Sequence, residues 1–263
     1  MHDPYADHPL IVTAFAPHST FALSDESFAA LRVLADQLDV RVQIHLHESA
    51  AEVDISMREK GKRPFQRLLD AGLVNASLLA VHAVHMNEEE IAHFAEAGVS
   101  VAHCPNSNLK LASGIAPVSS YRRAGVNVAL GTDGAASNNM LDLFSEMRTA
   151  ALLAKATSGD ASVVTASEAL HMATMGGACA LGLEHRIGSI ETGKDADQPG
   201  HAQRAGRKLG NREHGPPGAF RVGEGHEPFD HHHQGERRKQ SVCRPEGIAI
   251  GSAIGPVIEP DLR

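Results

Sequence analysis

The sequence predicts an α/β fold built around a parallel sheet, and three observations carry that prediction. Short β-branched runs alternate with segments of helical period as far as about Ala196. The pitch of the alternation is that of βαβ units. The count is roughly five units, fewer than the eight of a closed (β/α)8 barrel.

The elements follow in order. Leu10–Phe15 reads as a strand. Ser24–Leu38 reads as a helix, with Ser24 as N-cap and Phe28, Leu31, Leu34, Ala35 and Leu38 recurring at 3 and 4. Val40–His45 is the next strand. Glu52–Ala71 is mostly helical, with a break near Gly61. Leu78–His82 is a strand, and Glu88–Ala97 a helix that Gly98 ends. Ser100–His103 is a short strand. Cys104–Asn108, rich in Pro, Asn and Ser, reads as a turn. Ile115–Ala124 is a helix ended by Gly125, and Val126–Leu130 a strand. Met140–Ala156 is a long amphipathic helix capped by Ser137 or Asn138, and Ser162–Leu181 holds one helix or two.

Composition excludes several classes. The 263 residues carry a formal net charge of −8, which argues against a nucleic-acid-binding face. Aromatic residues are 4% and Trp is absent, so base-stacking platforms are not expected. Hydrophobic residues make up 42%, enough for a core. Cys104, Cys179 and Cys243 are too far apart for a CxxC zinc site or a disulfide framework. No apolar run approaches the roughly 20 residues of a membrane span. The start, Met1-His-Asp-Pro-Tyr, has no signal-peptide pattern. A cytoplasmic protein is expected.

After Asp197 the character changes. Residues 198–263 hold about half of the Gly and Pro in about a quarter of the length. Between Ala205 and Glu246 the large apolar residues are Leu209, Phe220, Val222, Phe229 and Val242. That density does not offset roughly 1–2 kcal/mol of backbone entropy per ordered residue. A disordered tail is therefore expected, and His231-His-His233 within it reads as a solvated tract.

Chemistry gathers at strand ends, where parallel α/β sheets place their sites. His18 follows the first strand, His45 ends the second and His82 the third, and Asp133 follows Val126–Leu130. One such His is usually structural. Four strands ending in ligand-type side chains point instead to a divalent metal, since imidazoles plus a carboxylate suit a catalytic zinc site. Glu48 lies three residues beyond His45, so both face one cleft only if the strand stops near Leu46 and the chain turns. Glu48 is then placed for proton shuttling. As a helix-start residue it would instead favour the dipole. His47 shares the face of His45 by period two and reads as filler. His103 reads as structural and Cys104 as a small buried residue. In Gly131-Thr-Asp-Gly134 the flanking glycines allow close backbone approach to Asp133.

Five strings carry a resemblance: Ala16-Pro-His-Ser19, Ile44-His-Leu-His-Glu48, Ala80-Val-His-Ala-Val-His85, the run from His103 to Pro117, and the run from Leu130 to Asn139. On them, about seven-tenths of the chain resembles the amidohydrolase superfamily, and within it the 5-methylthioadenosine/S-adenosylhomocysteine deaminases and their triazine-hydrolase-like relatives. The resemblance implies strands four to eight of a (β/α)8 barrel over residues 1–187, a return toward a β-sandwich over 188–197, and a tail foreign to the family over 198–263. It implies hydrolytic deamination of an adenine-type nucleoside, with one zinc or other divalent ion per subunit. His45 and Asp133 would be metal ligands, and Asp133 also the base. Glu48 would protonate the purine ring, and His82 would orient the attacking water. Glu48, Asp133 and His18 would contact the substrate. A triazine or another aminated heterocycle is the alternative substrate. The expected partner is a small nucleoside, with no nucleic acid and no membrane, and a homo-oligomer is left open.

Two departures set further expectations. The family's His-x-His pair on its first strand has no counterpart before Pro9, and no apolar strand follows Gly188–Asp197. With two ligands the chain alone is expected to deaminate weakly or not at all, either as an inert fragment or as one needing a separate N-terminal piece. The break near Asp197 predicts a missing 5′ portion and a reading-frame shift near that codon. Translation of the flanking nucleotides in the other frames checks this, and no apolar, strand-like continuation in any frame would refute it.

Overall fold

Four parallel strands form one sheet, in the spatial order of the chain: β1 (Val42–Leu46), β2 (Leu78–His82), β3 (Ser100–His103) and β4 (Asn127–Leu130). The computed structural model describes residues 3–5, 8 and 10–195. The sequence-based expectations for residues 198–263, His231-His-His233 and Cys243 included, lie outside the described residues, as do the last two residues of the 188–197 segment.

Each crossover is helical. α1 (Asp25–Leu38) precedes β1, and α2 (Ala50–Lys60) and α3 (Pro64–Asp70) join β1 to β2. α4 (Glu88–Ala97) joins β2 to β3, and α5 (Pro105–Lys110) and α6 (Val118–Ala124) join β3 to β4. α7 (Leu143–Ser158), α8 (Ala166–Ala173) and α9 (Met175–Leu181) follow. Local chemistry sets these limits. Ser24 Oγ accepts the Ser27 N–H at 3.2 Å and starts α1. Asn87 and Glu90 form a reciprocal capping box on α4, and Gly98 ends that helix at φ +71°. Among the described residues no helix is long and apolar enough to cross a membrane.

The register carries β1 onto β2 with His45 opposite Val81, and β3 onto β4 with His103 opposite Leu130. One sheet face holds Val42, Ile44, Leu46, Leu78, Ala80, Val101 and Val128, packed with Phe28, Phe94, Tyr121 and Met172 in the main core. Full burial of each such side chain is worth about 1.5–3 kcal/mol. The other face holds Leu79 and Ala129, covered by Ala180 of α9.

Four sequence-based boundaries are corrected. Leu10–Phe15 is not a regular strand: it reaches β1 through one isolated parallel bridge, Phe15 to Val42, and a second, Ser19 to His45, follows four residues on. Between them Pro17 has no N–H to give a ladder. Cys104–Asn108 is not a simple turn, because Pro105 opens α5 at a position where its missing N–H costs nothing. The helix placed at Ile115 begins at Val118, since Pro117 keeps the preceding residue out of the helical region. The helix placed at Met140 begins at Leu143. Asn138 Oδ1 takes the N–H groups of Met140 and Leu141 (3.2 and 3.3 Å), and Asp142, rather than Ser137 or Asn138, caps the helix by accepting the Phe144 N–H at 3.0 Å.

Adjacent glycines in α9 make a paired prediction. A Cβ on Gly176 would stand 2.7 Å from the Val128 carbonyl oxygen of β4, whereas one on Gly177 meets nothing within 4 Å. Gly176→Ala is expected to destabilise the protein by about 1–3 kcal/mol, and Gly177→Ala to be neutral or to stabilise by up to about 1 kcal/mol. Urea unfolding of the two variants checks the contrast.

Candidate metal centre

Ligand atoms of His45, His82 and Asp133 lie within 4.8 Å of one another beyond the strand ends. The sheet alone does not produce this. A regular pleat would send His82 to the side of Leu78 and Ala80, away from His45. The pleat breaks at His82 (φ +67°) and Ala83 (φ +46°), and the His82 ring stacks 5.3 Å from that of His45. Tyr121 Oη donates to the Ala83 carbonyl and ties this turn to α6. Asp133 also lies in the left-handed region (φ +59°), three residues past β4. Such backbone costs on the order of 1 kcal/mol per non-glycine residue and persists where surrounding contacts over-determine it.

Both imidazoles are oriented from behind. His45 Nδ1 lies 2.5 Å from the His18 carbonyl oxygen, and His82 Nδ1 lies 2.8 Å from Asn108 Oδ1. Each partner is an acceptor, so each Nδ1 carries the proton and each Nε2 keeps its lone pair for a cation. Asp133 Oδ2 accepts hydroxyls from Ser107 (2.7 Å) and Ser137 (2.6 Å), and its Oδ1 accepts the Gly134 N–H (2.7 Å). Burial works to raise its pKa. The Ser137, Ser107 and Gly134 hydrogen bonds outweigh burial and hold the carboxyl below its ordinary value. Imidazole nitrogens gathered with a carboxylate are a donor set that fits a zinc-type divalent ion.

Glu48 meets the condition set by its spacing. β1 ends at Leu46, His47 turns the chain at φ +51°, and Ser49 caps α2. Glu48 Oε2 then stands 3.7 Å from His82 Nε2, and Oε1 takes the Ser113 hydroxyl at 3.4 Å. The His18 ring lies 4.8 Å from the His45 ring, beside the donor cluster rather than in it. Sequence reasoning missed Ser107, Ser137, Asn108 and Ser113. All four stood in strings singled out beforehand, and no spacing rule assigns their partners.

The remaining candidates are separated from the cluster. His47 is buried, and its Nε2 accepts the Phe65 N–H at 3.0 Å. Its Nδ1 faces Arg63 and Glu90. Burial pushes its pKa down to about 4. His103 is buried too and pushed down to about 3 by burial. Cys104 is 1% exposed, and burial with the nearby Asp133, Glu146 and Glu48 raises its thiol far above the ordinary value.

With this geometry in place, comparison with known proteins is informative. The model of the Amidohydrolase family matches residues 5–198. The chain belongs to the amidohydrolase family. A curated 5-methylthioadenosine/S-adenosylhomocysteine deaminase of Teredinibacter turnerae is 49% identical over 197 residues, which cover 75% of this chain and 45% of the relative. A solved adenosine deaminase from Xanthomonas campestris with bound zinc is 57% identical with a TM-score of 0.73, over 74% of this chain and 45% of that one. Atrazine chlorohydrolase from Arthrobacter aurescens, complexed with zinc, is 31% identical with a TM-score of 0.66, over 73% and 44%. This amidohydrolase chain thus spans somewhat under half the length of the relatives it matches.

His47 generates a pH prediction for the metal-free protein. The unfolded chain takes up its proton near pH 6.5, while the folded chain refuses it until about pH 4. As pH falls through that window the unfolded state binds more protons, so stability declines by about 1.4 kcal/mol per pH unit, roughly 3 kcal/mol in all. His47→Gln is expected to remove this one-proton slope. Unfolding free energies measured from pH 7 to 4 check it.

Proposed function

We propose that the chain carries the metal half of a hydrolytic deaminase site for adenine-type nucleosides, of the 5′-methylthioadenosine and S-adenosylhomocysteine kind. The carrying observation is the convergence of His45, His82 and Asp133, with both imidazoles held by their Nδ1 atoms. Residues 1–187 then correspond to strands four to eight of a barrel, with 188–197 turning toward a sandwich. A bound divalent ion supplies Lewis-acid activation of water. His45 and Asp133 would hold the ion, and His82, in the same cluster, would orient the attacking water. Asp133, kept ionised by its three donors, is suited to accept a proton. Glu48, 29% exposed at its side chain, faces the cleft and can hand a proton to a ring nitrogen. His18 borders the cleft for substrate contact. A cytoplasmic setting suits the free thiols of Cys104 and Cys179.

A second reading, an aminated triazine as substrate, is favoured by the likeness to solved triazine hydrolases at 33% identity. The adenine-type relatives are more similar, at 57% and 49%, and they decide the preference.

The test is metal analysis together with ammonia release from 5′-methylthioadenosine, S-adenosylhomocysteine and an aminotriazine. About one divalent ion per chain is expected, lost on chelation or in Asp133→Asn. Ammonia release is expected to be weak, to follow metal content and to favour the nucleosides. Glu48→Gln should keep the metal and lose turnover by at least about 100-fold. A folded chain that takes up no divalent ion overturns the reading.

A further inference from the structure

Glu146 is a fully buried carboxylate with no part in the chemistry above, and it holds two residues at once, Asn106 of α5 and Asn138 of the loop after β4. It stands in the first turn of α7, where the helix dipole favours negative charge. Its Oε2 accepts the Asn106 backbone N–H at 3.1 Å. Its Oε1 accepts Asn106 Nδ2 at 2.9 Å and also Asn138 Nδ2. Asn138 Nδ2 in addition donates to the Thr132 carbonyl at 2.9 Å.

The neighbours of these residues give the contacts their meaning. Asn106 precedes Ser107, and Asn138 follows Ser137. Those two hydroxyls are the ones that hold Asp133 Oδ2. Thr132 precedes Asp133 itself. Glu146 therefore grips the residue beside each hydroxyl donor, and through Asn138 the residue beside the acceptor. The two donors come from separate crossovers, α5 and the loop after β4, with 30 positions between Ser107 and Ser137 in the numbering. Backbone connectivity alone does not set their separation.

We propose that Glu146 is a positioning residue. It clamps α5 to the loop after β4 so that Ser107 and Ser137 converge on Asp133, whose left-handed backbone has no glycine to relax it. The role of Asp133 as a metal ligand rests on the function proposed above. The clamp itself does not, and the experiment reads the two separately.

The full chain is compared with E146Q and N138A, and with F94L as a control that loosens the main core. In E146Q an amide N–H replaces one acceptor and opposes a donor from Asn106 or Asn138. Hydrogen exchange of the Gly134 amide, bonded to Asp133 Oδ1, is followed by NMR in metal-free protein. Cobalt(II) affinity is followed by visible absorption. E146Q is expected to speed Gly134 exchange and to weaken cobalt binding, each by about tenfold or more, with Ala80 exchange in β2 unchanged. N138A should move both in the same direction and by less, and it answers the question if E146Q does not fold. F94L should lower the melting temperature without touching either readout. Wild-type Gly134 exchange in E146Q, or in N138A where E146Q is unfolded, overturns the proposal. So does F94L reproducing the effect at a matched loss of stability. If the wild-type chain takes up no cobalt, the metal reading fails, and the exchange comparison still decides the clamp.

Discussion

The Asp133 carboxylate is the point on which the arrangement depends. Two hydroxyls and a backbone amide aim at it, and together they outweigh the desolvation that works to raise its pKa. An ionised, immobile carboxylate is what a divalent cation needs, and it is also what two imidazoles cannot supply. Around it the fold supplies direction rather than charge. Parallel strands send His45, His82 and Asp133 toward one edge of the sheet, and breaks in the pleat turn the side chains inward.

Those breaks explain why the cluster sits where it does. His47, His82 and Asp133 all have positive φ: His47 just after β1, His82 at the end of β2, and Asp133 three residues past β4. Each break is pinned by something distant in sequence. Phe65 gives its N–H to the His47 ring, Tyr121 holds the Ala83 carbonyl, and Ser107 holds the Asp133 carboxylate. The strain is thus distributed over α3, α6 and α5, the helices that the sheet core already fixes in place.

His45, next to last in β1, and His82, which ends β2, differ from the two nearby histidines that do not take part. His45 and His82 each give one nitrogen to a protein oxygen and keep the other facing their neighbours. His47 spends both nitrogens on Phe65, Arg63 and Glu90, and His103 is sealed within the interior. Burial keeps those two neutral, as their depressed pKa values record. Residue type alone does not separate the pairs; the partner of the second nitrogen does.

Much of this was legible in the chain itself. Period-2 and period-3.6 patterning with Ser, Asn and Gly punctuation placed four strands and most helices to within two or three residues, because capping and amphipathic burial are local effects. The strand-end rule named His18, His45, His82 and Asp133, of which the last three share one donor cluster and His18 stands beside it. Tertiary structure decided the rest. Leu10–Phe15 was too weakly paired to form a ladder past Pro17, and the helix after Asp133 started late because Asn138 took the amides that would have begun it. The turn of His82 out of the pleat, and the meeting of Ser107, Ser137 and Glu146 around one loop, rest largely on hydrogen bonds between residues 26 to 40 positions apart. Local pattern carries no information at that range, since which donor meets which acceptor is fixed only once the sheet has brought the crossovers side by side.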